Sequence, residues 1–335
     1  MERDLVTGAT GFTGRHLVEA LVRDGRTVRV LARNQARAAS ELPPGVEVVG
    51  GDVTDAEAVN TAMRGVSHVY HLAAAYRESG IPDRRYWEVH VAGTRHMLAA
   101  ARRENVTRFV HCSTVGVHSH IANPPADETW PHQPGDVYQA TKSEAEREAL
   151  AFACEHGLAL AVARPTAIYG PGDLRLLKLF SLIAKRRFII LGDGEIFYHL
   201  VYVEDLVRGF RLLATSPSAP GDVFILGGAE YRSLNDLAAM IARIVHAPPP
   251  RIKLPAWPFQ MAGSVVERVC KPLGIAPPIY RRRVDFFTKS RAFTIEKARR
   301  VLGYEPQVSL EEGLARTARW YREHGYLPAA GTAAA

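Results

Sequence analysis

The chain carries TGATGFTG at residues 7–14, where the predicted strand DLVTG (residues 4–8) meets an amphipathic helical pattern. In this context Gly8 permits a tight turn, Gly11 lets the backbone approach a pyrophosphate, and Gly14 lets helix and strand pack closely. The helix N-terminus adds N–H donors and a positive dipole end. A glycine-rich structural turn is the alternative, but the strand–turn–helix context favours dinucleotide binding. The predicted cofactor contacts in this loop are Gly8, Thr10, Gly11, Phe12, Thr13 and Gly14.

Short apolar runs alternate with helical patterns along the first half of the chain, which is typical of a parallel sheet covered by helices. We therefore predict an α/β fold, a Rossmann-type doubly wound parallel sheet with a smaller, mixed α/β C-terminal substrate domain. Strands are predicted at residues 4–8, 27–32, 46–51, 68–75, 108–114, 158–165 and 221–228. Helices are predicted before Gly25 and at about 84–104, 138–156, 233–246, 294–306 and 309–325, with Ser233 and Gly157 as caps.

A proline-rich stretch, PPPRIKLPAWPFQ at residues 248–260, suggests that a second domain follows the sheet. The predicted division is a dinucleotide-binding domain at 1–166, a substrate-binding region at 167–327 and a flexible tail at 328–335. Residues 199–228 are expected to return to the first domain.

The composition is that of a soluble globular protein, with 47% hydrophobic and 23% charged residues among 335. No apolar run approaches the roughly 20 residues of a membrane span, and we see no signal peptide. Cys112, Cys154 and Cys270 form neither a disulfide framework nor metal-ligand spacing. We therefore expect a cytoplasmic protein without a metal. The formal charge is +7, and the basic clusters at 185–187 and 281–283 are interpreted as solvated rims rather than a nucleic-acid or acidic-lipid surface.

The end of the second predicted strand bears on the choice of cofactor. An acid at this point would hydrogen-bond the 2′-hydroxyl of an adenosine ribose, but the sequence here is Leu31-Ala32-Arg33-Asn34. The Arg33 guanidinium suits a 2′-phosphate through bidentate, charge-assisted hydrogen bonds. We therefore favour NADP over NAD. The alternative is that Arg33 only stacks on the adenine.

Within VYQATKSEAE, residues 137–146, a tyrosine precedes a lysine by one helical turn. Residues four apart share a helix face, so Lys142 can lie beside the Tyr138 phenol. A phenol ordinarily titrates near about 10, and a neighbouring ammonium favours its phenolate. The pair is therefore suited to acid/base work, although the spacing taken alone is a weak signal.

Further motifs give the chain, from about residue 4 to 325, a specific resemblance to the extended short-chain dehydrogenase/reductase family. They are GDVTD after the third strand, HLAAAY on the fourth, HCSTVGVH on the fifth, YQATK, RPTAIYGPGD (164–173), LGDG…VYVEDL (191–206) and KARRVLGYEP (297–306). The resemblance is to the epimerase/dehydratase type, and within it to the 3β-hydroxysteroid dehydrogenase and dihydroflavonol-reductase-like branch.

The resemblance implies a role for particular residues. Thr114 would orient the substrate oxygen, with Ser113 as the rival hydroxyl. Tyr138 would be the acid/base, and Lys142 would hold the nicotinamide ribose and favour the phenolate. The remaining implied cofactor contacts are Asp52 and Val53 at the adenine, Leu72, Ala73 and Ala74 along the dinucleotide, and Pro165 at the nicotinamide.

Three departures from the family pattern bear on function. His90 occupies a position where the family commonly has an asparagine that helps hold a relay water, so it either substitutes for that residue or is a packed helix residue. Val115 and Gly116 replace an acidic pair of the dehydratases. Thr166 and Tyr198 replace an asparagine and an arginine with which nucleotide-sugar epimerases contact the sugar diphosphate.

The resemblance and its departures imply an NAD(P)(H)-dependent oxidoreductase that interconverts a secondary alcohol and a ketone on a fairly apolar molecule. A nucleotide-sugar epimerase that recycles its cofactor is the alternative, and an NADP-sensing regulator is a remote one. Family members often dimerise through the Tyr138 helix, which here carries Ala140, Ala145, Ala149 and Ala153. Because small side chains let helices approach closely, we predict a homodimer, although alanines are also simply good helix formers.

Overall fold

The computed structural model describes residues 2–75, 81–259, 261 and 287–328. The strands are β1 (Arg3–Thr7), β2 (Thr27–Ala32), β3 (Glu47–Gly50), β4 (His68–His71), β5 (Arg108–Cys112), β6 (Leu160–Pro165), β7 (Ala167–Tyr169), β8 (Ile190–Leu191), β9 (Phe197–Tyr202), β10 (Val223–Leu226), β11 (Tyr231–Ser233) and β12 (Lys253–Leu254). The α-helices are α1 (Phe12–Arg23), α2 (Gln35–Glu41), α3 (Ala56–Met63), α4 (Asp83–Trp87), α5 (Gly93–Arg103), α6 (Val137–His156), α7 (Leu177–Ala184), α8 (Val203–Thr215), α9 (Leu234–Ile244), α10 (Glu296–Leu302) and α11 (Leu310–Glu323).

Seven parallel strands form the central sheet in the order β10-β6-β5-β4-β1-β2-β3. The chain runs outward from β1 to β3 and then returns to place β4 on the other side of β1. Such a reversal opens a crevice at the carboxyl ends of the strands, where α/β folds bind ligands. Both β1 and β4 end at this crevice.

Helices cover both faces of this sheet. Side chains alternate along a strand, so Leu5 packs with α3, α5 and α6 on one face while Val6 packs with α1, α8 and α10 on the other. The second face has a core of its own: Phe210 of α8, Phe224 of β10 and Tyr304 are all completely buried. The predicted fold class is therefore confirmed.

A second group of elements packs around its own core. Strands β11, β9 and β7 form a small mixed sheet, and β8 pairs with β12. Helices α7, α9 and α11 pack against it through buried residues that include Phe180, Leu237 and Leu314. Helix α8 and strand β10, which come later in the chain, belong to the large sheet and its covering layer.

The predicted elements of the first half agree with the structure, and β2 agrees at both ends. Ser233 caps α9 by accepting from the Asp236 N–H, and Gly157 ends α6 with φ of +66°. The helix predicted at 84–104 has a π turn at Glu88–Ala92 between α4 and α5. Strands β7, β8, β9, β11 and β12 and helices α2, α3, α7 and α8 were not predicted. Strands of two to six residues give little periodic signal.

In the part of the chain that the structure describes, no helix is long and apolar enough to cross a membrane. Cys270, the basic cluster at 281–283 and tail residues 329–335 lie outside the described residues. The domain boundaries at 166 and 327 stay a prediction.

Candidate active site

The glycine loop has the backbone geometry that a close approach of chain segments requires. Gly8 has φ of +72°, and a Cβ there would lie 2.9 Å from the Leu72 carbonyl oxygen. A Cβ at Gly14 would lie 2.2 Å from the Gly8 carbonyl oxygen. Only glycine therefore lets β1 pass so close to the chain after β4, and lets α1 pack directly on the loop.

The N-terminus of α1 fits an anionic group. Gly11 is its N-cap, and no side chain caps the first-turn N–H groups. These donors have no partner within the helix, and they lie where the dipole is positive. Thr10, Phe12 and Thr13 are partly exposed around this end. The loop can thus hold the pyrophosphate of a dinucleotide, as the sequence predicts.

Arg33 lies one residue beyond β2, and its side chain is exposed. It forms no ion pair or hydrogen bond with another residue of the described ranges. Two nearby guanidinium groups are engaged, because Arg15 and Arg37 each pair with Glu41 at 2.8 Å. Arg33 is therefore available for a phosphate at the end of β2.

Asp52, a predicted adenine contact, is held from two sides. Its Oδ1 accepts from the Thr54 N–H at 3.0 Å, and its Oδ2 pairs with the Arg85 guanidinium at 2.5 Å. Burial acts to raise the pKa of Asp52, but Thr54 and Arg85 outweigh it, so the pKa lies below its usual range. Val53 is buried and packs against Gly93. Asp52 is thus ionised and fixed next to the carboxyl end of β3.

The residues predicted to line the dinucleotide path follow β4. Leu72 and Ala73 are partly exposed, and Ala74 is exposed. Two N–H groups anchor this segment: Ala73 donates to Thr7 Oγ1 at 3.1 Å, and Ala75 donates to His90 Nε2 at 3.0 Å. The segment is therefore fixed alongside Gly8 by side chains from β1 and from the π turn.

Thr114 lies at the carboxyl end of β5 and is half-buried. Its Oγ1 accepts from the Gly116 N–H at 3.0 Å, which engages one of its two lone pairs and leaves the hydroxyl hydrogen to be donated. The rival hydroxyl, Ser113, is buried, and it contributes to lowering the pKa of Glu146. Since neighbouring residues of an extended chain face opposite ways, Thr114 is the hydroxyl on the accessible side.

Tyr138 and Lys142 lie one turn apart in the first half of α6, which Asp136 caps by accepting from the Gln139 N–H at 2.8 Å. The Lys142 ammonium donates to the Cys112 carbonyl at 2.5 Å, at the last residue of β5. A Cβ at Gly116 would lie 3.2 Å from Thr114 Oγ1 and 3.7 Å from Gln139. These contacts place Lys142 at the end of β5, two residues before Thr114, and Tyr138 lies one turn before Lys142 on the same helix. Pro165 ends the neighbouring strand β6.

Lys142 is only 3% exposed, and its charge affects its surroundings. Burial lowers its own pKa, while Cys112 and Glu146 act in the opposite direction. Burial, and after it the Lys142 charge, lowers the pKa of His71 to about 3 and that of His90 to about 2. Both imidazoles are consequently neutral at physiological pH.

A charged network lies one turn further along α6. Arg164 of β6 binds Glu146 through Nε and Nη2, and both side chains are almost completely buried. The same guanidinium donates to His118 Nε2 at 3.1 Å and to His132 Nε2 at 2.7 Å. Burial acts to raise the pKa of Glu146, but Arg164 holds it below its usual range. This network joins α6, β6 and the chain between them.

The positions at which epimerases bind a diphosphate carry no cation here. Thr166 and Tyr198 are 4% and 8% exposed, so both are buried. Arg175 binds Asp173 at 2.5 Å and the Ile168 carbonyl at 2.9 Å. Its guanidinium also lies over the Phe12 ring, with 5.4 Å between its carbon and the ring centroid.

Comparison with known proteins agrees with this arrangement. The model of the NAD dependent epimerase/dehydratase family matches residues 5–227. The chain belongs to this family, and it is an enzyme of the extended short-chain dehydrogenase/reductase type with NAD or NADP as cofactor. The predicted family and enzyme class are therefore confirmed.

Two curated relatives are similar over nearly the whole chain. A 3 beta-hydroxysteroid dehydrogenase/Delta 5→4-isomerase of Mycobacterium tuberculosis is 33% identical over 341 residues, which cover 95% of this chain and 90% of that protein. A 2-alkyl-3-oxoalkanoate reductase of Stenotrophomonas maltophilia is 32% identical over 324 residues, which cover 93% and 97%.

Solved structures share the fold. The UDP-glucose 4-epimerase of Thermotoga maritima, solved with UDP-glucose, is 25% identical and superposes with a TM-score of 0.76. The match covers 96% of this chain and 99% of that one.

Several residues of the site were missed by the sequence analysis. Segment 72–75, which is predicted to line the dinucleotide path, is anchored by buried hydrogen bonds of Thr7, His71 and Thr94. Arg85 fixes Asp52. Thr141 was quoted within YQATK without a role, although it bonds His90. The signal was present for Thr141, because a polar residue in the interior of a helix often makes a buried contact. No pattern in the sequence indicated Arg85.

Proposed function

We propose that this enzyme interconverts a secondary alcohol and a ketone on a fairly apolar small molecule, with NADP(H) as the preferred cofactor. The observation that carries the proposal is the hydrogen bond from Lys142 to the end of β5, two residues before Thr114, with Tyr138 one turn earlier in the same helix. In a parallel sheet this is the same edge at which the glycine loop leaves β1.

The residues divide the chemistry between them. Bound NADP(H) supplies or accepts the hydride. Thr114 donates its hydroxyl hydrogen to the substrate oxygen, while the Gly116 N–H holds the Thr114 oxygen in place. Tyr138 exchanges a proton with the same oxygen, and the Lys142 ammonium favours the phenolate form of that tyrosine.

Two observations support an apolar substrate. Tyr198 and Thr166 stand where epimerases have diphosphate-binding side chains, and Arg175 is already paired with Asp173. A diphosphate there would lack strong charge-assisted bonds. The names of both curated relatives describe molecules with a hydroxyl or oxo group: a 3β-hydroxysteroid, and a 2-alkyl-3-oxoalkanoate, whose alkyl groups are apolar although its carboxylate is charged.

The preference for NADP depends on Arg33, whose exposed guanidinium has no carboxylate partner among the described residues. Replacement of Arg33 by Ala removes a charge-assisted hydrogen bond, so KM for NADPH should rise about ten- to hundredfold while KM for NADH stays within about twofold. NAD remains the alternative. A wild-type enzyme that strongly prefers NADH would contradict this assignment.

The deciding experiment is a reduction screen over steroids, flavanonols, simple ketones and UDP-sugars with NADPH and NADH in parallel. We expect stoichiometric consumption of NADPH with an apolar ketone. Tyr138→Phe should lose about 10²–10⁴-fold in kcat, whereas Tyr326→Phe, on an exposed tyrosine near the C-terminus, should retain activity. Full activity of Tyr138→Phe would refute the assignment of the proton donor.

A nucleotide-sugar epimerase is the second candidate, because the fold superposes on a UDP-glucose 4-epimerase with a TM-score of 0.76. Epimerisation oxidises and re-reduces one sugar carbon, so it leaves no net change in cofactor. Turnover of a UDP-sugar without NADPH consumption would favour this candidate over the reductase.

The homodimer stays a prediction, with less support than the alanine pattern suggested. Ala145, Ala149 and Ala153 are buried within the chain itself, and two of them pack in the core under α6. They therefore let α6 approach its own sheet and α5. Only the half-buried Ala140 is left for an outer surface. The expected cytoplasmic location and the two-domain division likewise stay predictions.

A further inference from the structure

His90 lies in the π turn between α4 and α5 and is 1% exposed. It occupies the position at which the family commonly has an asparagine. Both ring nitrogens are engaged: Nε2 with the Ala75 N–H at 3.0 Å, and Nδ1 with Thr141 Oγ1 at 2.8 Å. The ring also lies edge-on to Tyr138, with centroids 5.4 Å apart and planes at 82°.

The partners fix where the imidazole proton lies. A backbone N–H can only donate, so Nε2 accepts from Ala75 and carries no hydrogen. A neutral ring then has its hydrogen on Nδ1, which donates to Thr141 Oγ1. The Thr141 hydroxyl is free to accept, because its own hydrogen is donated to the Val137 carbonyl at 2.8 Å. Every donor along this path therefore meets an acceptor.

A second path meets His90 and has an equally fixed direction. The Thr94 hydroxyl donates to the His90 carbonyl at 2.6 Å, so Thr94 Oγ1 accepts from His71 Nε2 at 3.1 Å. His71 Nδ1 then accepts from the Thr7 hydroxyl at 2.8 Å, and Thr7 Oγ1 accepts from the Ala73 N–H. Both ring nitrogens of His90 therefore have partners within the protein, and its carbonyl accepts from Thr94.

We propose that His90 is a positioning residue, which as a neutral Nδ1–H imidazole fixes the Tyr138 end of α6 relative to the cofactor segment 72–75. The expected effect of His90 on turnover rests on the proposed function. A proton relay through His90 is the competing role. It requires a ring nitrogen that exchanges protons, whereas both nitrogens here are used to join α6 to the end of β4.

The test compares three variants of the full chain. His90→Phe keeps a ring beside Tyr138 but removes both hydrogen bonds, so the dissociation constant of NADPH should rise about tenfold, with a comparable fall in kcat. His90→Gln offers one acceptor and one donor, so it should lose less than His90→Phe on both measures. The control His156→Gln alters the last residue of α6, whose ring packs on Phe152, and should stay within about twofold of wild type.

Two further readouts separate positioning from relay. The pH profile of kcat should keep its shape in His90→Gln, whereas loss of a relay would remove or displace one limb. In ¹⁵N NMR of the wild-type enzyme labelled at histidine, His90 should have a protonated Nδ1 and a bare Nε2 at pH 7. A protonated Nε2, an imidazolium, or an unchanged NADPH affinity in His90→Phe would overturn the proposal.

NADPH binding and the NMR measurement need no substrate. If no ketone is turned over but both give the expected results, the proposed function fails while the positioning role stands. If His90→Phe does not fold, as judged by its unfolding midpoint, the wild-type spectrum still decides the tautomer.

Discussion

Helix α6 joins two buried polar networks that differ in charge. Around its first turns, Thr141 and His90 belong to a network of hydroxyl, imidazole and backbone groups that also includes His71 and Thr94. One turn beyond Lys142, Glu146 instead pairs with the Arg164 guanidinium. The first network is neutral and the second contains full charges, although both are buried.

Burial, and after it the position of Lys142, accounts for this difference. Its buried charge helps to depress the pKa of His71 and His90, so an additional cation beside it would be repelled. Arg164 carries a charge because the Glu146 carboxylate compensates it, and hydrogen bonds to His118, His132 and the Glu128 carbonyl satisfy its other donors. The enzyme thus keeps a buried ammonium one helical turn from Tyr138, while its buried ion pair lies on the β6 side of the helix.

The largest effect is expected from a substitution that breaks the charged network. Glu146→Ala leaves the Arg164 guanidinium buried without its carboxylate, so the free energy of unfolding should fall by about 3–5 kcal/mol. Urea unfolding followed by circular dichroism measures this loss. Glu144→Ala is the matched control on the same helix, because Glu144 pairs with Arg147 in solvent and should cost at most about 0.5 kcal/mol. Equal losses in the two variants would contradict the contrast.

Neither network could be predicted from the sequence, and the reason differs between the two. Arg164 lies within the quoted motif RPTAIYGPGD and Glu146 within VYQATKSEAE, yet nothing pairs them before β6 and α6 pack together. His71 and Thr94 are 23 residues apart, and their contact depends on the packing of α5 against β4. Spacing along the chain reveals same-helix pairs such as Tyr138 and Lys142, but not pairs that form across a sheet.

The same limit applies to the fold. The glycine loop and β2 were predicted because strand and helix periods alternate there within short distances. The π turn was not predicted, since the helical pattern at 84–104 is continuous and the turn differs from it only in its backbone hydrogen bonds. In the second core, helices α9 and α11 were predicted, whereas the strands are short and give little local pattern.

A smaller effect, on the pH dependence of the unfolding free energy, is expected when a histidine of the neutral network is replaced. The folded-state pKa of His71 is lowered to about 3, below the value of about 6.5 for an unfolded chain. The stability that neutral His71 contributes is therefore present above pH 6.5 and is lost as the pH falls toward 3. Between pH 7 and 5 this linkage amounts to about 2 kcal/mol. His71→Gln should reduce the pH dependence of the unfolding free energy by that amount.

Thr94→Val is the control for this titration. It removes a hydroxyl that bonds His71 and His90 but leaves both imidazoles in place, so it should cost about 1–3 kcal/mol equally at both pH values. Urea unfolding at pH 7 and 5 measures both variants. If His71→Gln keeps the full wild-type pH dependence, His71 is not neutral in the folded enzyme.

The smallest effect is expected for a third ion pair, which lies at the surface of the same helix. Arg95 of α5 binds Glu148 of α6 at 2.7 and 2.5 Å, but the arginine side chain is 63% exposed. A double-mutant cycle with Arg95→Ala and Glu148→Ala should give a coupling of about 0.2–1 kcal/mol, most of which 1 M salt should screen. The Glu146–Arg164 pair is shielded from solvent, so Glu146→Ala should cost nearly the same in 1 M salt. A surface coupling above about 2 kcal/mol, or one insensitive to salt, would mean that exposure does not decide what an ion pair contributes along α6.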